Sequence, residues 1–482
     1  MSGLGKKILV GSFWVTLSTW SLRLIGLVST IILARLLLPT DYGVVAMASL
    51  VVSFLQIMSD AGMEAYLIRI KHISKSHYNT AWTLNLIIRI FIGLCLFLAA
   101  GFLSIYFEDL RLEEVWRILA VSIMLGGFQN IGIAKLKKEF LYDKYFLYTF
   151  TTKIISFIAT ILLAYSLRNY WAMIYGTVIG VSAGVVLSYY FSNYRPWFSI
   201  SGFREQWDFS KWIFLKNISG FVRQKSDQVI ISKILGAESM GYYSMASDIS
   251  NMPAELIYPA MGPIYAGYSN LLDKPEALNS AFVTVIGIIG VISFPLLGGL
   301  SFLADDIVLF MLGEKWNQVG GIMQIFCVLV LMQLFSFAAS SFLTALGKVR
   351  EIAILDWVYI LILIPLLYYA ALSKELSYLV MARAISYVFL SLIFFTTVRV
   401  VAKVSFLRLI NVIARPFLAM LIMISGLDML YEIFSNHGLV VSLVINVLVG
   451  GFIYVFVIML LWVISGRKEG GERFILANLR LR

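Results

Sequence analysis

The chain is short of almost everything a soluble enzyme relies on. Of its 482 residues only 13% are charged, whereas a soluble domain carries about 25%. Its two cysteines, Cys95 and Cys327, lie in apolar runs with no CxxC spacing, and there are only three histidines, so no metal centre is expected. No GxxxxGK[ST] phosphate loop or HExxH occurs. The chain therefore carries no recognisable ATP engine and no zinc-protease signature. No extramembrane stretch is long enough to house a catalytic domain. The reading is a non-enzyme without a cofactor.

What is present is hydrocarbon. The composition is 60% hydrophobic with a mean hydropathy of +0.88. Apolar runs of about 20 residues, each long enough to cross a bilayer, recur along the chain. A β-barrel would show short alternating segments instead. The expected class is an all-α polytopic membrane protein with about fourteen transmembrane helices. The start, MSGLGKKILVGSFW, has the positive flank of a signal but no small-residue cleavage pattern, so the first helix reads as a retained anchor.

A net charge of +11 does not point to nucleic acid, because the cations gather in alternate connecting segments. Lys6/Lys7, Arg69/Lys71/Lys75, Lys135/Lys137/Lys138/Lys144, Arg195/Arg204, Lys348/Arg350, Arg399/Lys403/Arg408/Arg415 and the tail from Arg467 form one set. Asp41, Glu108/Asp109/Glu113/Glu114, Glu238, Asp305/Asp306/Glu314, Glu375 and Glu432 mark the other. The positive-inside rule then places both termini in the cytoplasm, with an even number of crossings.

The chain also repeats itself. A shift of 198 residues carries Trp14 onto Trp212, Leu17 onto Leu215, Arg35 onto Lys233 and Gly43 onto Gly241 without a gap. Six helices separate the copies, so the repeat is parallel, about an axis along the membrane normal. The expected division is a six-helix lobe at 1–197, its twin at 198–402, two added helices at 403–466 and a cytoplasmic tail at 467–482. The segment Asn193–Lys211, with Pro196, Trp197 and Trp207, reads as an interfacial link between lobes. The polar tail has the composition of a disordered end.

Polar residues inside the spans fall on stripes. On the seventh helix, about 100° per residue puts Lys216 and Asp227 within about 40° of Arg223, with Gly220 beside them. Arg223 lies about 18 Å beyond Lys211 along the helix, too deep for snorkelling to explain well. The first helix carries Ser12, Thr16, Thr19, Arg23, Gly26 and Thr30 on one side, and the second carries Ser53, Gln56, Asp60 and Glu64. Asn85 and Arg89 sit one turn apart on the third, and Asp248, Asn251 and Glu255 mark the eighth. Charges in a bilayer are costly and face an interior or a water-filled cavity. Arg23, Lys216 and Arg223, with Arg89 as a fourth candidate, would make a cavity between the bundles cationic and suited to phosphate. For Asp60 and Arg89 the alternative is a mutual pair that glues helices together. Asp227, Glu255 and Asp60 are candidates for a coupling cation or proton. Pro253, Pro259 and Pro263 fall in the eighth span, where lost backbone hydrogen bonds predict a bend and a candidate gate.

The run LARLLLPTDYGVVAMASLVVSFLQIMSDAGMEAYLIR (Leu33–Arg69), echoed by SDQVIISKILGAESMGYYSMA (Ser226–Ala246), resembles the polysaccharide-transport branch of the multidrug/oligosaccharidyl-lipid/polysaccharide exporter superfamily. These are the Wzx-type flippases, and the likeness is to the lipopolysaccharide, colanic-acid and teichuronic-acid exporter group. The resemblance implies two six-helix lobes in a V around a cationic cavity. It implies flipping of undecaprenyl-pyrophosphate-linked oligosaccharide repeat units to the periplasmic leaflet of the inner membrane, driven by an ion gradient or the membrane potential. Partners implied are the lipid-linked substrate, membrane lipids, a repeat-unit polymerase and a chain-length regulator. A multidrug–cation antiporter of the same superfamily is one rival, against which the deep arginines count. A membrane-embedded polymerase or glycosyltransferase is another, against which the short outer loops count. A scaffold or scramblase remains a third.

Overall fold

A computed structural model describes residues 3–59, 67, 74–201, 203–435, 438–466 and 470–474. Among them the chain is helical throughout, with no strand. The chain forms two compact units, Met1–Gly241 and Tyr242–Arg482. The first unit holds α1 (Gly3–Leu36), α2 (Pro39–Ser59), α3 (Lys75–Tyr106), α4 (Arg111–Gly126), α5 (Ile133–Lys138), α6 (Tyr142–Leu167), α7 (Trp171–Phe191) and α8 (Phe203–Ile234). Helix α9 (Gly236–Ile257) begins at its edge. The second holds the rest of α9, α10 (Met261–Ser269), α11 (Pro275–Phe302), α12 (Ala304–Met311), α13 (Gln318–Ala345), α14 (Val349–Ala371), α15 (Leu376–Ala402), α16 (Phe406–Ser435) and α17 (Leu439–Ile464).

Eleven of the described helices are long and apolar enough to cross a membrane, so this is a multi-pass membrane protein of all-α class. The helices at three other expected spans fall short by length or polarity. Helix α4 has only 16 residues, α8 is laced with charge along its 32 residues, and α9 is a polar 22-residue helix.

In the first unit, packing is set by small residues. Gly176, Gly180 and Gly184 of α7 face Thr160, Ser156 and Thr152 of α6, both series stepping by four. Helices in a membrane gain little from the hydrophobic effect and associate through close packing and hydrogen bonds. Here Ser156 donates to the Gly176 carbonyl at 3.0 Å and Tyr148 to the Gly184 carbonyl at 3.1 Å. Trp116 of α4 is fully buried and donates to the Ala48 carbonyl of α2 at 3.3 Å.

The LLxPxDYG stretch is a helix start. Pro39 opens α2, where its missing N–H costs nothing. The buried Asp41 carboxylate accepts from the Leu38 N–H at 3.0 Å and from the Tyr170 N–H at 3.1 Å, tying α2 to the α6–α7 connection. The equivalent start of α9 follows Gly236, whose φ of +79° suits glycine. These two starts cross. A Cβ on Gly43 would overlap the Ala237 carbonyl, and a Cβ on Gly241 would overlap the Pro39 carbonyl. Positions 43 and 241, and 39 and 237, are the pairs related by the 198-residue shift, so the contact is reciprocal, as a two-fold demands.

In the second unit, α13 lies between α11 and α15, with Ser336 and Ser391 bonded Oγ to Oγ at 2.7 Å. Phe282 and Phe342 stack at 4.4 Å. The α16–α17 hairpin packs on α11, where Tyr454 donates to the Val291 carbonyl at 3.0 Å. The tail does not stay in solvent: Gly470, Gly471 and Glu472 are buried against α11 and α16. Residues 192–201 are extended and lie along α3, with the Trp197 N–H donating to Asn79 and the Ser199 N–H to Thr83. Trp197 and Phe198 there point outward.

Candidate functional site

The seventh-span stripe is carried by α8. Arg223 is half-buried, and Asp227, one turn further on, is buried at 1% exposure. The Asp227 carboxylate accepts from the Gln228 N–H at 2.8 Å. An added Cβ on Gly220, one turn before Arg223, would meet nothing within 4 Å among the described residues, so the helix borders open space there. Helix α8 packs on α2, with Phe221 against Phe54 at 5.1 Å between centroids. Lys216 belongs to α8, and its side chain lies outside the described residues.

On α1, Arg23 is exposed on the protein surface, and Gly26 one turn later also borders open space. A low-dielectric setting strengthens every charge–charge contact an arginine makes. Two guanidinium groups offer forked donors to phosphate oxygens.

The other sequence candidates are placed differently. Arg89 sits in the seam of α3, α4 and α7, its Nε donating to Asn85 at 2.7 Å and its head group against Gly126. Asp60 and Glu64 lie outside the described residues. In the second unit Glu255 is half-buried on α9. The helix is interrupted nearby: α9 stops at Ile257, a 3-10 turn spans Tyr258–Ala260, and α10 resumes at Met261. Pro259 and Pro263 each remove one i→i−4 bond, which is why the chain tightens there. Pro253 is carried inside α9, and Pro263 inside α10.

One feature of the first unit had only a weak signal in the sequence. Lys233 donates to Glu108 at 2.7 Å and lies 5.1 Å from the centroid of the Tyr106 ring. The hydrogen bond and charge of Lys233 hold the Glu108 carboxyl below its usual range. Lys233 is the repeat partner of Arg35, and that equivalence was its only trace.

The family model described as "Polysaccharide biosynthesis protein" matches residues 32–320, a range that contains both quoted stretches. An "Uncharacterized membrane protein in cps region" of Klebsiella pneumoniae is 24% identical over 466 residues, which cover 94% of each chain. The "Lipopolysaccharide biosynthesis protein WzxC" of Escherichia coli (strain K12) is 23% identical over 351 residues, 72% of this chain and 71% of that one. Among solved structures, "Lipid II flippase MurJ, inward closed conformation" matches with a TM-score of 0.74 at 15% identity, over 93% of this chain and 98% of the other. The folds are the same.

Proposed function

We propose, from the premise that this chain belongs to the polysaccharide biosynthesis protein family, that it flips undecaprenyl-pyrophosphate-linked oligosaccharide repeat units between the leaflets of the bacterial cytoplasmic membrane. Arg23 and Arg223 hold the pyrophosphate, with Lys216 as a further cation along the path, while Arg89 is left to the seam of α3, α4 and α7. Sugars meet the polar stripes of α1 and α8, while the prenyl chain stays in lipid. No bond is made or broken. The work is done by alternating access of lobes 1–197 and 198–402, with Pro253, Pro259 and Pro263 as the flexing positions. Asp227, Glu255 and Asp60 are the carboxylates offered to a coupling cation or proton. Both termini face the cytoplasm, where repeat units are made, and a polymerase and chain-length regulator act on the product.

The observation that carries this reading is the half-buried Arg223 beside open space at Gly220, on a charged helix within a multi-pass membrane protein. An arginine there recruits an anion. A cation antiporter would need the opposite field.

The test is complementation of a strain lacking its polysaccharide flippase, scoring surface polymer and accumulated lipid-linked intermediate. Arg23→Ala and Arg223→Ala are each expected to lower export about 10-fold or more at normal membrane levels, the loss of one charge-assisted contact to the pyrophosphate. Full export by both variants would return the arginines to structural pairing and remove the proposed path.

A further inference from the structure

The C-terminal segment is built into the second unit in an unusual way. After α17 ends at Ile464, the chain returns and places one turn of helix, residues 471–474, against α11 and α16. The depth is considerable. Gly287 lies 12 residues into α11, about 18 Å along it, and Arg415 lies about 14 Å into α16.

Two contacts of the segment are seen among the described residues. The first is backbone on backbone: a Cβ on Gly287 would lie 2.6 Å from the Gly471 nitrogen, and one on Gly471 would lie 2.5 Å from the Gly287 carbonyl carbon. Only a glycine on each side permits this approach. The second is charge: Arg415 Nη2 stands 3.6 Å from Glu472 Oε2, with the side chains 9% and 2% exposed. Arg415 is itself held by α16 and the end of α17, donating to the Asn411 carbonyl at 3.3 Å and to Ser465 Oγ at 3.5 Å.

The same contacts make the docking weak enough to reverse. Gly470, Gly471 and Glu472 bring almost no apolar surface, and ordering two glycines carries the largest backbone entropy loss of any residue. A buried ion pair recovers little beyond its own desolvation. Its place in the same chain as α17 makes the docking intramolecular, which offsets part of that cost.

We propose that Gly470–Phe474 is a releasable clasp, which holds the α16–α17 hairpin against α11 while docked and frees that seam when it leaves.

Hydrogen–deuterium exchange of the full chain in lipid nanodiscs tests docking directly, without any assumption about transport. Gly471→Ala is expected to speed exchange of the 470–474 peptide by about ten-fold or more, since its methyl would strike the Gly287 backbone. Arg415→Gln is expected to do the same by leaving Glu472 buried without its cation, and adding Glu472→Gln to that variant restores slow exchange. For the clasp itself, Gly298→Cys and Met420→Cys report the α11–α16 seam, where a Cβ on Gly298 would lie against Met420. In a background with Cys95 and Cys327 replaced by alanine, the cross-link forms readily and its yield falls several-fold on adding Gly471→Ala. Wild-type exchange as fast as that of Gly471→Ala would overturn the docking. A cross-link indifferent to the tail would overturn the clasp.

Discussion

The crossing of Gly43 with the start of α9 and the crossing of Gly287 with Gly471 use the same device, two glycines that let main chains touch. What stands behind each differs. Around Gly43 both partners are helix starts: Asp41 caps one and ties it to α7, and Gly236 at positive φ opens the other. Around Gly287 one partner is a long membrane helix and the other a short segment with an ion pair at its side. A main-chain contact is therefore as durable as the hydrogen-bonded structure on its weaker side. The first crossing belongs to the framework, and the second is removable.

The largest break in that comparison is at the framework crossing. Gly43→Val or Gly241→Val drives a side chain into a carbonyl that has no room to withdraw, and is expected to cost about 3 kcal/mol or more. Thermal unfolding of the purified protein would show a large drop or no folded yield at all. Gly287→Ala is expected to fall well below that, about 1 kcal/mol or less, because the tail can leave without dismantling α11. Equal losses at the two crossings would mean the tail is framework after all.

The smallest effect sharpens the second crossing through pH. Burial pushes the Glu472 carboxyl above its usual range, against the opposing pull of Arg415. A carboxyl raised in the docked state favours docking fully below its free value and loses that contribution as pH rises through the docked value. The facing groups are Arg415 on α16 and Tyr454 on α17, while α11 offers only apolar residues between Gly287 and Val291. Exchange of the 470–474 peptide, corrected for its intrinsic rate, is expected to slow as pH falls from 7 toward 5. Glu472→Gln removes that dependence.

Much of the fold is legible before any coordinates. Long apolar runs dictate membrane helices, since the backbone has no other partner in hydrocarbon. Pro259 and Pro263 announce the break after Ile257, because proline cannot complete the ladder. The family resemblance rests on a turn whose chemistry is readable: proline first, aspartate as cap, glycine where chains meet. The site is legible only in part. Helical periodicity puts Arg223 and Asp227 on one side of α8, where Arg223 is half-buried and Asp227 is buried outright. Periodicity says nothing of which neighbour that face meets, and so Arg89, also a deep arginine, turns out to lie in the seam of α3, α4 and α7 beside Asn85 and Gly126. The tail shows the same limit from the other side. Its composition is that of a solvated end, and Arg415, counted in the sequence among the basic connecting residues, gave no sign of its contact with Glu472.

The sequence by itself determined that this chain is a helical membrane protein and where its charges and prolines fall along each helix. Those are properties of hydropathy, periodicity and backbone chemistry, each local to the chain. Tertiary structure alone decided that positions 198 residues apart meet reciprocally at Gly43 and Gly241, and that a polar tail is buried at Gly287. Both are close approaches between main chains, and a glycine in a sequence marks room for such an approach without naming what fills it.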